Sequence, residues 1–81
     1  MKLTDRIFEL TESKVRELGY ELYDVEYQKE YDNWVLTLYI DSKNGISLDD
    51  CEIVSNAVDP ILDEADPIEQ AYYLSCLLYT S

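Results

Sequence analysis

The window from Asp41 to Glu52 is the stretch whose residue types come closest to those of a metal site. It is twelve residues long and begins with Asp and ends with Glu, like the calcium loop of an EF-hand. Its interior does not fit, because Lys43 and Gly45 occupy ligand positions and Ile46 stands where the turn needs glycine. The window also follows a strand pattern instead of a helix. We therefore predict a turn and a helix cap here, and no calcium site.

The cysteines and carboxylates offer no clearer chemistry. Cys51 and Cys76 are the only cysteines, and the chain has no histidine to act as a metal ligand or a general base. Asp50 and Glu52 flank Cys51, which lies on an apolar stripe, so core packing is the favoured role for this thiol. No glycine-rich phosphate loop distinguishes one pair of acids from the others. We predict no enzymatic activity, no cofactor and no metal, with both thiols reduced.

Charge is the strongest compositional feature of the chain. Its 81 residues, enough for one small domain, include 18 acidic and 6 basic residues and carry a net charge of −12. Residues 44–81 hold 8 acids and no base. Carboxylates repel phosphates, so we expect little direct affinity for RNA or for an anionic membrane, and a basic protein is the better electrostatic match. The plain alternative is that the acidity only keeps the domain in solution.

No stretch approaches the ~20 apolar residues of a membrane helix. The first residues lead into an amphipathic pattern and not into the apolar core of a signal peptide. We therefore expect a cytoplasmic protein.

The first element should be a helix from about Leu3 to Leu18. Thr4 is a plausible cap, and Gly19 is the expected left-handed stop. Three- and four-residue spacing gives this helix an apolar stripe, formed by Ile7, Leu10, Thr11, Val15 and Leu18.

Two strands follow and should pair as an antiparallel hairpin. The first runs from Tyr20 to about Gln28, and its expected core-facing residues are Tyr23, Val25 and Tyr27. Residues 29–32 are predicted to form a hairpin loop of about four residues. Residues 33–41 form the second strand, whose expected core-facing residues are Trp34, Leu36, Leu38 and Ile40.

A second helix is predicted from Leu48 to about Leu62. Ser47 should cap its first turn, with Asp50 at the reciprocal capping position and Ile46 packing onto Cys51. The apolar spacing predicts that this helix buries Leu48, Cys51, Val54, Ser55, Val58 and Leu62.

Pro60 interrupts this helical pattern and should kink or break it near Val58 and Asp59. Residues 63–67 then read as an acidic loop, and an aromatic-rich third strand begins at about Ala71. The element order predicts an α+β fold, a two-layer αββαβ sandwich in which two helices pack on one face of a three-stranded sheet.

Four motifs in order carry a resemblance to a known family. They are residues 19–27 (Gly-Tyr-Glu-Leu-Tyr-Asp-Val-Glu-Tyr), residues 34–41, residues 45–51 (Gly-Ile-Ser-Leu-Asp-Asp-Cys) and residues 66–68 (Asp-Pro-Ile). From about Leu3 to Leu74 the chain resembles the N-terminal domain of RimP, the bacterial ribosome maturation factor. The resemblance implies the same two-layer fold.

The end of the chain departs from that family. We assign residues 1–74 to a RimP N-terminal-like domain and residues 75–81 to a non-matching tail, which we expect to be a truncation or a sequence artefact. RimP proteins continue the third strand differently and then add an SH3-like domain. Leu77, Leu78 and Tyr79 place apolar groups on both faces of the terminal strand, which predicts an edge that can self-associate.

The resemblance implies a role in maturation of the small (30S) ribosomal subunit, through noncovalent binding of a basic ribosomal protein. The expected contacts are carboxylates placed off the core: Glu21, Asp24, Glu26, Asp41, Asp49, Asp50, Asp63, Glu64 and Asp66. Asp49 and Asp50 have helix capping as their alternative role, and Asp41 has the turn. For Glu21 and Asp24 the alternative is an ordinary solvated strand face.

Two other functions stay open on the sequence alone. A KH-like RNA-binding module needs a Gly-x-x-Gly loop, and this chain has only Gly19 and Gly45, far apart and beside acids. The other is a dimerising domain without a ligand, whose terminal strand pairs with a second copy.

Overall fold

Two helices and three strands make up this chain in the computed structural model, which describes residues 2–42 and 48–79. The order is the predicted αββαβ. The elements are α1 (Leu3–Glu17), β1 (Glu21–Glu30), β2 (Asn33–Asp41), α2 (Leu48–Ala65) and β3 (Tyr72–Leu78).

The strands form one sheet in the order β1-β2-β3. β1 and β2 are antiparallel, and β3 lies parallel to β2 after the crossover through α2. α1 packs on β1 and on α2, and α2 packs on β3. The core lies between helices and sheet, and its buried apolar residues are Ile7, Val15, Leu22, Val25, Leu36, Leu38, Ile40, Cys51, Val54, Val58, Leu62 and Ile68. The predicted two-layer α+β architecture is confirmed.

α1 begins at Leu3, as predicted, and ends at Glu17, one residue before the predicted end. Gly19 has a φ of +94°, its N–H donates to the carbonyl of Arg16, and the N–H of Tyr20 donates to the carbonyl of Val15. These two bonds form a Schellman motif, which uses the freedom of glycine at positive φ. The capping prediction was wrong, because Lys2 is the N-cap and Thr4 lies inside the helix. Leu3 packs against the core, which draws the first turn into the helix.

The core-facing set of β1 is a second correction. The register with β2 shifts between Leu22 and Asp24, so Leu22 and Val25 are both buried. Tyr23, at the shift, is 46% exposed instead of packing in the core. One extra residue in the strand reverses the alternation on either side of it. Tyr27 keeps its predicted side and stacks on Trp34, with 4.8 Å between ring centroids.

The turn between β1 and β2 is shorter than predicted. β1 runs to Glu30, which pairs with Asn33, so only Tyr31 and Asp32 connect the strands. Tyr31 has a φ of 57° and is almost fully exposed. A positive φ at the first position of a two-residue connection fits the twist of a hairpin, even where the residue is not glycine.

α2 is continuous through Pro60 and reaches Ala65, so the predicted break was wrong, and the predicted loop over residues 63–67 was wrong for residues 63–65. Val58 and Leu62 are buried on its inner side. Their burial stabilises the fold by about 1.5–3 kcal/mol each, which offsets a cost of about 3 kcal/mol for an interior proline. The next residue, Asp66, ends the helix: it has a φ of 47° and donates its N–H to the carbonyl of Leu62 at 2.8 Å.

The predicted capping of α2 by Ser47 and the contact of Ile46 with Cys51 lie outside the described residues. Cys51 is buried, as predicted, and both cysteines are free thiols. Burial raises the pKa of Cys76 to about 12, so this thiol stays protonated at neutral pH.

Candidate functional site

The sheet has a second face, turned away from both helices, which we call the open face. On β2, outward residues alternate with the buried Leu36, Leu38 and Ile40. Strand pairing extends this face to both neighbours. Its residues are Asp24, Glu26, Gln28 and Glu30 on β1, Val35, Thr37 and Tyr39 on β2, and Tyr73, Ser75 and Leu77 on β3.

The open face is ordered in rows, because the register fixes which residues are neighbours. Asp24 lies opposite Tyr39 and Glu26 lies opposite Thr37, while Val35 lies beside Tyr73 on the other side. Adjacent strands are about 4.8 Å apart, so a row of acids on β1 borders a row of β-branched and aromatic side chains on β2.

Tyr39 is the polar centre of this face. Its hydroxyl donates a hydrogen bond to Glu26 Oε2 at 3.1 Å. That bond raises the pKa of Tyr39, and burial and the negative charges of Glu26, Asp24 and Glu30 raise it further. Asp24 Oδ1 accepts the N–H of Val25 at 2.9 Å, which fixes that carboxylate. The hydroxyl therefore stays protonated and holds Glu26 in place beside it.

A shallow depression of about 380 Å³ opens beside these groups, lined by Asp24, Glu26, Tyr39, Leu78 and Tyr79. The rings of Tyr23 and Tyr79 stack at its border, with centroids 4.1 Å apart and planes 9° apart. Tyr23, the residue at the shift in β1, thus supports this side of the sheet and not the core.

A second group of acids lies near the start of α2. Asp50 Oδ1 accepts a hydrogen bond from the Tyr20 hydroxyl at 2.5 Å, and this bond raises the pKa of Tyr20. Asp41 lies opposite Glu21 across the hairpin, and its Oδ1 accepts the N–H of Ser42 at 2.8 Å. The carboxylates of Asp50 and Asp41 therefore have structural partners in the fold.

A third group surrounds the end of α2, and we call it the helix-end surface. It is a depression of about 370 Å³ whose acidic lining residues are Asp59, Asp63, Asp66 and Glu69, with Tyr72 among the other lining residues. Burial raises the pKa of Tyr72, followed by the charges of Asp63, Asp59 and Asp66. The last turn of α2 has no basic residue. Acids at this end oppose the helix dipole, so they do not serve helix stability.

A family model for the RimP N-terminal domain matches residues 10–76. The chain belongs to this family. The resemblance seen in the sequence is thereby confirmed, and it gives the domain a role in ribosome maturation. The matched residues include β1, β2 and α2 in full and most of β3, so the helix-end surface and all of the open face except Leu77 lie on the part shared with RimP.

The fold of this RimP domain distributes the nine predicted contact residues over three places. It does not bring them into one cluster. The open face has Asp24 and Glu26; the start of α2 and the hairpin end have Glu21, Asp41, Asp49 and Asp50; the end of α2 has Asp63, Glu64 and Asp66.

Several residues of these surfaces of the RimP domain were not among the predicted contacts. Glu30 and Tyr39 belong to the open face, and Asp59 and Glu69 belong to the helix-end surface. The alternation along β2 does put Tyr39 on the face opposite Leu36, Leu38 and Ile40, but it does not show that Tyr39 binds Glu26 on β1. The four-residue spacing of Asp59 and Asp63 could have placed both acids on one side of α2.

A metal site and a membrane-spanning helix are the other features to consider in residues 2–42 and 48–79. Within these ranges no group of three or more histidine, cysteine, aspartate or glutamate side chains is arranged to hold a metal ion. None of the helices in the described part of the chain has the length and apolar character needed to cross a membrane.

Proposed function

We propose that this RimP N-terminal domain assists assembly of the small (30S) ribosomal subunit by binding a basic ribosomal protein noncovalently, in the cytoplasm. The family match over residues 10–76 is the observation that carries this proposal. The net charge of −12 supports a basic partner. On α1, Lys14 and Arg16 form ion pairs with Glu17 and Glu12, which offsets part of the charge these bases would offer to RNA.

The proposed mechanism is electrostatic and involves no bond-making chemistry. The carboxylates shield the Lys- and Arg-rich surface of the partner and orient it until ribosomal RNA, with its higher charge density, displaces the domain. Because exposed charges act mainly on encounter, they should raise the association rate and make it sensitive to salt. Direct affinity for RNA should be low, because the carboxylates of the domain repel the phosphates of RNA.

The nine carboxylates differ in how freely they can serve as contacts. Asp49, Asp63, Glu64 and Asp66 are exposed, as are Glu21 and Asp24. Glu26, Asp41 and Asp50 are half-buried, and each accepts a hydrogen bond within the fold.

The test is a pull-down with purified small-subunit ribosomal proteins and, separately, with ribosomal RNA fragments, at low and at physiological salt. The proposal predicts retention of at least one basic protein, weakened by salt, and no retention of RNA. Tight binding of bare RNA with no ribosomal protein retained would contradict it. So would retention of neither, together with a concentration-dependent dimer in sedimentation, which would point to pairing of the edge strand β3 with a second copy.

A further inference from the structure

Resting on this proposed function, we propose that the open face is the surface that receives the basic partner. We propose further that the occupant is a segment of that protein with arginines along one side and apolar side chains along the other. The open face is likewise acidic on one side and apolar on the other. A matching segment could therefore place its arginines on the acids and its apolar side chains on the apolar side at the same time.

The acidic half of the open face is a regular row. Asp24, Glu26 and Glu30 occupy alternate positions on β1, with Gln28 between the last two. Alternate residues of a strand are about 6.6–6.8 Å apart, a spacing that an extended or twisted basic segment can match side chain for side chain. Lys29, the base within β1, is paired with Trp34 and so belongs to the opposite side of the sheet.

The apolar half lies on the next two strands. Val35 and Thr37 are half-buried on β2, and their neighbour Tyr73 on β3 is 65% exposed. A β-sheet face that leaves a tyrosine this exposed offers aromatic contact area at little conformational cost. The apolar row of a partner would lie here, about one strand spacing from the acids.

At the boundary between the acidic and apolar halves of the open face, arginine should bind better than lysine. Tyr39 lies between the two halves and binds Glu26 through its hydroxyl. A guanidinium can stack on the aromatic ring and bond a carboxylate with two parallel N–H groups, whereas an ammonium acts as a point charge. Asp24 and Glu26 each accept one hydrogen bond within the described residues, which leaves acceptor capacity on both carboxylates.

The helix-end surface is the competing location, and it lacks this division. Its acids surround Tyr72, whose pKa is raised by burial, and its Ile68 is only 4% exposed because it belongs to the core. Its acids are grouped around Tyr72 and do not form a row beside a second row of β-branched and aromatic side chains, as the strand register arranges them on the open face. Electrostatic attraction alone would therefore bind there more weakly and with less selectivity between arginine and lysine.

The test compares two double variants that each remove two negative charges. Asp24→Asn with Glu26→Gln changes the open face and keeps the oxygens that accept the bonds from Val25 and Tyr39. Asp59→Asn with Asp63→Asn is the matched control on the helix-end surface, where both acids are exposed. The probe is a synthetic peptide in which arginine alternates with leucine, measured by fluorescence anisotropy, beside its lysine counterpart and a scrambled arginine peptide. Any ribosomal protein retained in the pull-down is measured in the same way.

The open-face variant should weaken binding of the alternating arginine peptide and of the retained protein about tenfold, and the control variant by less than about twofold. The lysine and scrambled peptides should bind the unaltered domain more weakly. Equal losses in both variants would overturn the open-face proposal while leaving ribosomal protein binding intact. Failure to retain any ribosomal protein would instead refute the proposed function, whatever the peptides do. A dimer that buries the open face would show that a second copy, not a basic segment, is the occupant.

Discussion

The two faces of the sheet carry different kinds of side chain on the same three strands. On β2, Leu36, Leu38 and Ile40 are fully buried under the helices, while Val35, Thr37 and Tyr39 are half-buried on the open face. Each buried leucine or isoleucine contributes about 1.5–3 kcal/mol, whereas an exposed charge pair contributes about 0–1 kcal/mol. Stability therefore depends on one face, and the other can carry charge and aromatic rings for a partner at little cost to folding.

The largest expected difference in stability is between substitutions at two neighbouring residues of β2, one on each face of the sheet. Leu38→Ala should lower the free energy of unfolding by about 2–5 kcal/mol, because it opens a cavity in the core. Thr37→Ala, one residue away on the open face, should cost less than about 1 kcal/mol. Urea unfolding followed by Trp34 fluorescence measures both. Similar losses from the two variants would mean that the open face is part of the core.

The turn before β1 belongs to neither face and should have an intermediate effect. Gly19→Ala should destabilise the domain by about 1–2 kcal/mol, since alanine is strained at a φ of +94°. A Cβ at this position meets no atom within 4 Å, so the cost comes from the backbone alone. Gly19→Asn is the control and should lose less, because asparagine tolerates this conformation. An equal loss in both variants would contradict this explanation.

Replacing tyrosine by phenylalanine should change the free energy of unfolding in opposite directions on the two faces of the sheet. The Tyr27 hydroxyl is buried and has no hydrogen-bond partner among the described residues, whereas the Tyr39 hydroxyl binds Glu26. Tyr27→Phe should raise the free energy of unfolding by up to about 1 kcal/mol, and Tyr39→Phe should lower it by about 0.5–1 kcal/mol. Thermal and urea unfolding together check this. A loss of stability in Tyr27→Phe would show that the hydroxyl has a partner.

The smallest effect concerns alkaline pH. The pKa values of Tyr27 and Tyr39 are both raised in the fold, by burial for Tyr27 and first by the bond to Glu26 for Tyr39. A raised phenol pKa stabilises the fold below the ordinary value near 10, and this stabilisation is lost as pH rises through the folded-state pKa. Glu26→Gln should lower the pKa of Tyr39 and leave that of Tyr27 unchanged, as followed by NMR titration of the ring carbons. Equal shifts in both tyrosines would contradict this separation of causes.

The sequence predicted the parts of the fold that depend on local pattern. The alternation of β2 identified its buried residues, and Gly19 identified the end of α1. Prediction from the sequence failed where two local signals compete. At Tyr23 an extra residue reverses the alternation of β1, and at Pro60 the burial of Leu62 offsets the cost of a proline inside a helix. The acidic residues were identified singly, but their arrangement in rows depends on strand register, which one strand's pattern does not determine.

The measurement that tests the central claim most directly is NMR mapping of this domain with the basic ribosomal protein retained in the pull-down. We predict that amide shifts concentrate on the open face, at Asp24, Glu26, Thr37, Tyr39 and Tyr73, with little change at Asp59, Asp63 and Asp66. Shifts confined to the helix-end surface, or spread evenly over every acidic residue, would contradict the account.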